Sequence, residues 1–226
     1  MIKNSVFLLL LFFLFSCQPT SDTENEASVT VDSDANISQV EDKDRFLAID
    51  TDEALVATAL MAAPAESRAE CTVIGFNMAG EFVTFKEGSN QFICLTDDPK
   101  KKGFNAACYH KDLEPFMARG RALKLEGKSP TEIFDIREAE AKAGTLDMGK
   151  AGSTLHILYG PNATYDPSTG EVDEAIYRYV VYMPWATAAS TGLPEAPIAP
   201  NHPWIMNPGT HRAHIMISPI NEGEDL

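Results

Sequence analysis

Six short runs with strand character, separated by turn-forming residues, restrict this chain more than any other feature. Residues 71–76, 81–86 and 91–95 are divided by Asn77-Met78-Ala79-Gly80 and Glu87-Gly88-Ser89-Asn90. Both dividers suit tight reversals, because Asn and Gly tolerate backbone angles that other residues avoid. Connections this short favour antiparallel neighbours, since a parallel crossover needs a dozen residues or more. The spacing therefore predicts an antiparallel meander. Residues 154–159, 175–183 and 212–218 supply the other three runs.

Helices are marked by their ends. Thr51 can cap a helix that opens with Asp52 and Glu53, where acids suit the positive end. Leu55, Val56, Ala59 and Leu60 follow at helical spacing, and Pro64 closes the run. A second helix is expected over 112–126, with Pro115 in its first turn, Gly120 weakening its middle and Gly127 near its end. A third has Ser129 as cap, Pro130 at the first position, Glu132 completing a capping box and Gly144 beyond the last turn. The stretch from Pro184 to Pro208 is rich in proline and holds Trp185 and Trp204, which predicts an extended, irregular wrap. Hydrophobic residues make up 44% and charged residues 23% of the chain, enough for a sizeable core. The expected fold is α+β: a single domain over 46–226, with an antiparallel sheet of about six short strands and three or so helices on one face.

The first 45 residues do not join that domain. Lys3 precedes an apolar run over 6–15. The run is too short to span a hydrocarbon core, which takes about 20 residues, and reads as an export signal. Leu14-Phe15-Ser16-Cys17 resembles the lipobox of bacterial lipoproteins, although Phe15 is bulkier than the usual residue there. That resemblance implies a signal peptide over 1–16 and a diacylglycerol on the Cys17 thiol. It also implies attachment to the membrane through acyl chains, at about 0.8 kcal/mol per buried methylene. A plain secretory signal with an incidental cysteine is the simpler alternative. Residues 17–45 are expected to be an acidic, disordered tether, because Asp22, Glu24, Glu26, Asp32, Asp34, Glu41, Asp42 and Asp44 face a single Lys43 before Arg45 and no aromatic residue. An acidic cluster close behind the cysteine resembles the surface-export signals of lipoproteins in the Bacteroidetes group; a solvated spacer is the alternative. The expected location is the cell envelope, as an outer-membrane lipoprotein, periplasmic or surface-exposed.

The formal charge of −15 repels nucleic-acid phosphates and anionic headgroups, so nucleic acid is not an expected partner. Cys71, Cys94 and Cys108 remain after Cys17, in a compartment that permits disulfides. Cys94 and Cys108 flank a hydrophilic loop, Asp97-Asp98-Pro99-Lys100-Lys101-Lys102-Gly103, that gains from closure. They are the expected disulfide, with Cys71 pairing to either one as the alternative. A metal site built from Cys94, Cys108 and His110 lacks the tight Cys-x-x-Cys spacing of closed zinc sites, and no metal or other cofactor is expected.

No serine elbow, His-Glu-x-x-His motif, phosphate loop or dinucleotide fingerprint occurs, so no catalytic residue is assigned. Asp166-Pro-Ser168-Thr-Gly170 has Glu171 where a calcium loop needs glycine, and reads as a turn. His211 and His214, three apart on an expected strand, point to opposite sides. Strand parity offers one candidate binding face. If the polar sides of the last three strands align, His156, Arg178, Arg212 and His214 gather into a basic patch suited to a small anionic ligand. An ordinary solvent face is the alternative. Tyr177, Tyr179, Trp185 and Trp204 could stack a sugar, or simply pack.

Several segments together resemble a family of exported bacterial proteins with no assigned function. They are Ala63-Pro64-Ala65-Glu66, the run Gly88 to Cys94, Asp97-Asp98-Pro99, Cys108, and His214-Ile215-Met216-Ile217. The likeness covers roughly 58–219 and implies no activity; the segment over 129–144 looks additional to the pattern. The functional expectation is a lipid-anchored envelope protein that binds a small anionic ligand or an envelope protein. The alternative is an envelope hydrolase with His156 or His214 as general base and Arg178 and Arg212 holding an anion.

Overall fold

The computed structural model describes residues 44–218. The expected export signal, the expected anchor at Cys17 and nearly all of the acidic segment lie outside the described residues. Among the described residues no helix is long and apolar enough to cross a membrane.

The fold is mixed α+β. Strand β1 (Leu47–Ala48) leads into helix α1 (Asp52–Met61), whose Thr51 hydroxyl accepts the Ala54 N–H as anticipated. A 3-10 turn over Ala65–Glu70 precedes β2 (Thr72–Phe76), β3 (Phe82–Lys86), β4 (Phe92–Leu95) and β5 (Phe104–His110). Helices α2 (Glu114–Leu125) and α3 (Pro130–Lys142) follow, the latter with its Ser129–Glu132 capping box formed. Then come β6 (Thr154–Gly160), β7 (Thr164–Tyr165), β8 (Ile176–Tyr182), the short helix α4 (Ala188–Thr191), β9 (Trp204–Met206) and β10 (His214–Ile217). The main sheet has eight strands in the order β3-β2-β4-β5-β6-β8-β10-β9, and β1 pairs separately with β7.

Three expectations are corrected. First, β2, β3 and β4 are not a meander. Strand β4 lies on the other side of β2 from β3 and runs parallel to β2, the one parallel pair in the sheet. The connection after β3 passes beneath the start of β2. There Gly88 N–H donates to the Thr72 hydroxyl, and the Ser89 and Asn90 N–H groups donate to the Glu70 carbonyl. Gly88 is required at the crossing, because a Cβ would stand 2.3 Å from the Cys71 carbonyl carbon. Second, residues 104–110 form a strand that none of the six expected runs covers, and the main sheet has eight strands where about six were expected. Third, helices cover both faces of the sheet. Cys71, Val73, Cys94, Ala106, Cys108 and Leu158 pack in one cluster with Leu55 and Ala59 of α1. Tyr109, Val180, Tyr182 and Met216 pack in another with Leu113 and Phe116, at the start of α2. Cys108 and Tyr109 are consecutive in β5, so the two clusters occupy opposite faces.

Candidate functional site

A concavity lies on the α2 face, near the β3 end of the sheet. Helix α2 exposes two apolar stripes. Phe116 and Leu123 are buried, and Gly120 lets α3 approach so closely that a Cβ there would stand 2.9 Å from Arg137 Nη1. Ala118, Ala122 and Leu125, spaced by four and three residues, point instead over β2–β5. They roof a cavity of about 860 Å³ whose floor and walls include Phe76, Phe82, Leu95, Phe104 and Tyr159. This volume falls within the range of small-molecule sites. Phe82 and Leu125 are both exposed, at 41% and 75%, so apolar surface continues to the mouth.

Two of the polar groups inside are engaged by the fold. Thr96 Oγ1 donates to the Phe76 carbonyl at 3.1 Å, and Asp97 Oδ1 accepts the Asn105 N–H at 3.0 Å. Burial pushes the Asp97 carboxyl up to about 6. On the wall, Arg121 donates to Glu114 at 2.5 Å and to the Tyr109 hydroxyl at 3.0 Å, and its guanidinium lies 5.4 Å from the Phe82 ring centre. Tyr109 in turn donates to Glu114 at 2.5 Å. Burial and this carboxylate hold the phenol above its ordinary range. Lys101, Lys102 and Lys124 complete the rim, with Lys101 paired to Asp98 at 2.8 Å.

The four residues expected to form a basic patch do not gather. His156 stands opposite Cys108 and Tyr179 in the ladder, which places it on the α1 face. Its ring contacts those of Phe92 and Tyr179, and burial lowers its pKa. Arg178 stands opposite Ile157, on the other face, where it donates to the Tyr159 hydroxyl at 2.5 Å and so backs a wall of the cavity. His214 is the cross-strand partner of Tyr182. Four residues separate Arg178 from Tyr182 along β8, roughly 13 Å. Arg212 reaches towards Tyr182 and Arg137. The structure thus joins Arg212 with His214 around Tyr182 and leaves His156 and Arg178 elsewhere. For His156 the physical reason is register, since the apolar side of β6 aligns with the Arg178 side of β8; Arg178 shares its face with His214, as parity predicts, and is kept from it by distance along β8. The four side chains therefore share no single pocket.

Other sequence features resolve locally. His214 Nδ1 donates to the Arg212 carbonyl at 2.7 Å. His211 is fully buried, with Nδ1 3.0 Å from Glu138 of α3 and its ring against Phe116 and Phe134. The pair serves packing, with each imidazole pKa lowered by burial. Tyr177 and Tyr179 stack beside a smaller cavity of about 280 Å³ that also involves Arg68 and His156. Trp204 packs in the cluster on the opposite face, so the four aromatics form no common platform. Asp166 accepts from the N–H and hydroxyl of Ser168, the turn expected there.

Cys94 and Cys108 are direct cross-strand partners, and their sulfurs stand 2.6 Å apart. That exceeds the ~2.05 Å of a disulfide, and all three cysteines are thiols here. The three sulfurs lie within 4.8 Å of one another, buried beneath α1. His110 does not join them; its Nδ1 accepts the Asp112 N–H at 3.2 Å. Three thiols are one ligand short of a closed zinc site. Burial pushes the Cys71 thiol up to about 11. The Cys108 sulfur and burial raise that of Cys94 further.

No signal in the sequence singled out the large cavity, because Phe76, Leu95, Ala118 and Ala122 each read as ordinary core positions. No protein-family model, no curated protein and no solved structure matches this chain.

Proposed function

We propose that this protein is a lipid-anchored component of the cell envelope whose folded domain binds an apolar ligand between α2 and the β3 end of the sheet. The anchor rests on the lipobox-like Leu14-Phe15-Ser16-Cys17. The binding reading rests on one observation: a cavity of about 860 Å³ with aromatic and aliphatic walls that opens through the exposed Phe82 and Leu125. Apolar surface left open to water costs free energy in proportion to its area, and a ligand that covers it recovers that cost. A non-enzymatic role agrees with the engaged state of Thr96, Asp97 and Arg121, whose polar atoms already serve the fold.

The test is photolabelling of the full-length protein in phospholipid vesicles with a long-chain fatty alcohol bearing a diazirine in its tail. Mass spectrometry is expected to place the label on peptides containing Phe82, Leu95 and 118–125. Ala122→Phe, which fills the roof, is expected to remove most of that label, while circular dichroism checks that the variant is folded. Label confined to other peptides, or unchanged in a folded Ala122→Phe variant, overturns the reading.

A further inference from the structure

The rim of this cavity differs from the rest of the molecule in charge. The chain carries 33 acidic and 18 basic residues, yet Lys101, Lys102, Arg121 and Lys124 meet only Asp97 and Asp98 among the cavity residues. Those cations are not equivalent. Glu114 neutralises Arg121 and Asp98 neutralises Lys101. Among the described residues no carboxylate forms an ion pair with Lys102 or Lys124. Lys124 sits on the solvent side of α2, beside the apolar Leu125. The Lys101 ammonium faces that of Lys124 and holds it below its ordinary range. Lys124 thus stands beside a second cation at the mouth of an apolar cavity with no ion pair of its own, a position that a further anion there would relieve.

The interior offers little polar recognition: Thr96 and Asp97 already bond to the backbone, which leaves the Asn105 amide as the one uncharged polar side chain among the cavity residues with no hydrogen bond of its own. A sugar or a nucleoside base would leave its own polar groups unpaired against Phe76, Leu95, Ala118 and Ala122. The chemistry that fits both parts is an alkyl chain inside and an anionic group at the rim. Resting on the cavity reading above, we infer that the site takes a single-chain amphiphile with a carboxylate head, its tail between α2 and the sheet and its head at the rim that carries the unpaired Lys102 and Lys124.

The experiment compares two photoprobes of equal tail length, a diazirine fatty acid and the corresponding fatty alcohol, on full-length protein in neutral phosphatidylcholine vesicles. The acid is expected to label cavity peptides at about tenfold lower concentration than the alcohol, the size of two exposed ion pairs taken together. That advantage is expected to shrink as salt is raised. Lys102→Gln with Lys124→Gln is expected to abolish the acid's advantage, so that acid and alcohol label the cavity peptides at the same concentration. Equal labelling by acid and alcohol in the wild type overturns the carboxylate assignment and leaves the apolar site standing. So does an advantage that survives the double substitution. Failure of both probes to label the cavity overturns the apolar site and this inference together. A lysophosphatidate competitor that displaces the acid better than a fatty acid does moves the head group from carboxylate to phosphate and overturns the assignment as stated.

Discussion

At the scale of single residues, the cysteines and Asp97 are the groups whose state depends most on their surroundings. The cross-strand positions of Cys94 and Cys108 bring their sulfurs within 2.6 Å, while Cys71 donates to the Ser67 carbonyl at 3.2 Å. In an oxidising envelope the predicted product is a Cys94–Cys108 bridge with Cys71 left as a thiol. Formation removes two electrons and two protons, which a thiol-oxidising disulfide of the compartment would accept. A peptide map of non-reduced protein checks this, and a linked peptide containing Cys71 contradicts it. Loss of the bridge in Cys94→Ala is expected to cost about 3 kcal/mol in the chain-entropy treatment.

Asp97 is 5% exposed and its carboxyl is pushed up from 3.8 to about 6. Its folded value lies above its unfolded one, so the native state takes up the proton first. The penalty for its charge is therefore full above about pH 6 and disappears as pH falls towards 4. Asp97→Asn is expected to be more stable than wild type at pH 7, by about 3 kcal/mol, with the difference vanishing near pH 4. Urea unfolding at both pH values measures it. The lowered pKa values of His156, His211 and His214 act in the opposite sense, destabilising the fold as pH drops through their ordinary range. The difference between variant and wild type isolates Asp97 from them.

At the scale of elements, legibility followed the caps. Thr51 and the Ser129–Glu132 box mark α1 and α3 because capping is local chemistry between neighbours in sequence. Strand β5 was hidden, although Phe104, Ala106 and Cys108 alternate, since the hydrophilic 97–103 segment and Cys108 read together as a closed loop. The parallel β2–β4 pair was hidden for a different reason. It depends on hydrogen bonds from Gly88, Ser89 and Asn90 to Thr72 and Glu70, which no local pattern reveals. Gly120 looked like a defect in α2 and is instead where α3 approaches, with Arg137 over Phe116 at 4.0 Å. Alanine favours a helix by about 1 kcal/mol over glycine. Even so, Gly120→Ala is expected to lower the melting temperature, because its Cβ meets the buried Arg137 guanidinium, which the carbonyl and ring of Phe116 hold in place. A raised melting temperature would show that Arg137 yields.

At the scale of the whole molecule, the candidate site was not legible because it belongs to no single segment. Its walls come from β2, β3, the 95–105 region, α2 and the end of β6, and only their arrangement makes a cavity. The basic patch proposed from parity failed through register: a one-residue difference in alignment sends His156 to the other face from Arg178. The envelope setting depends on Cys17. Radiolabelled palmitate is expected to enter the wild-type protein and not Cys17→Ala, and label retained by that variant contradicts the anchor.

The cavity itself is tested most directly by methyl NMR of the full-length protein held in a nanodisc, during titration with a long-chain fatty alcohol. The methyl resonances of Leu95, Ala118, Ala122 and Leu125 are expected to shift together and saturate, with those of Leu55 and Ala59 beneath the opposite face unmoved. Shifts centred on Leu55 and Ala59, or no saturable shift in the α2 methyls, would contradict the account.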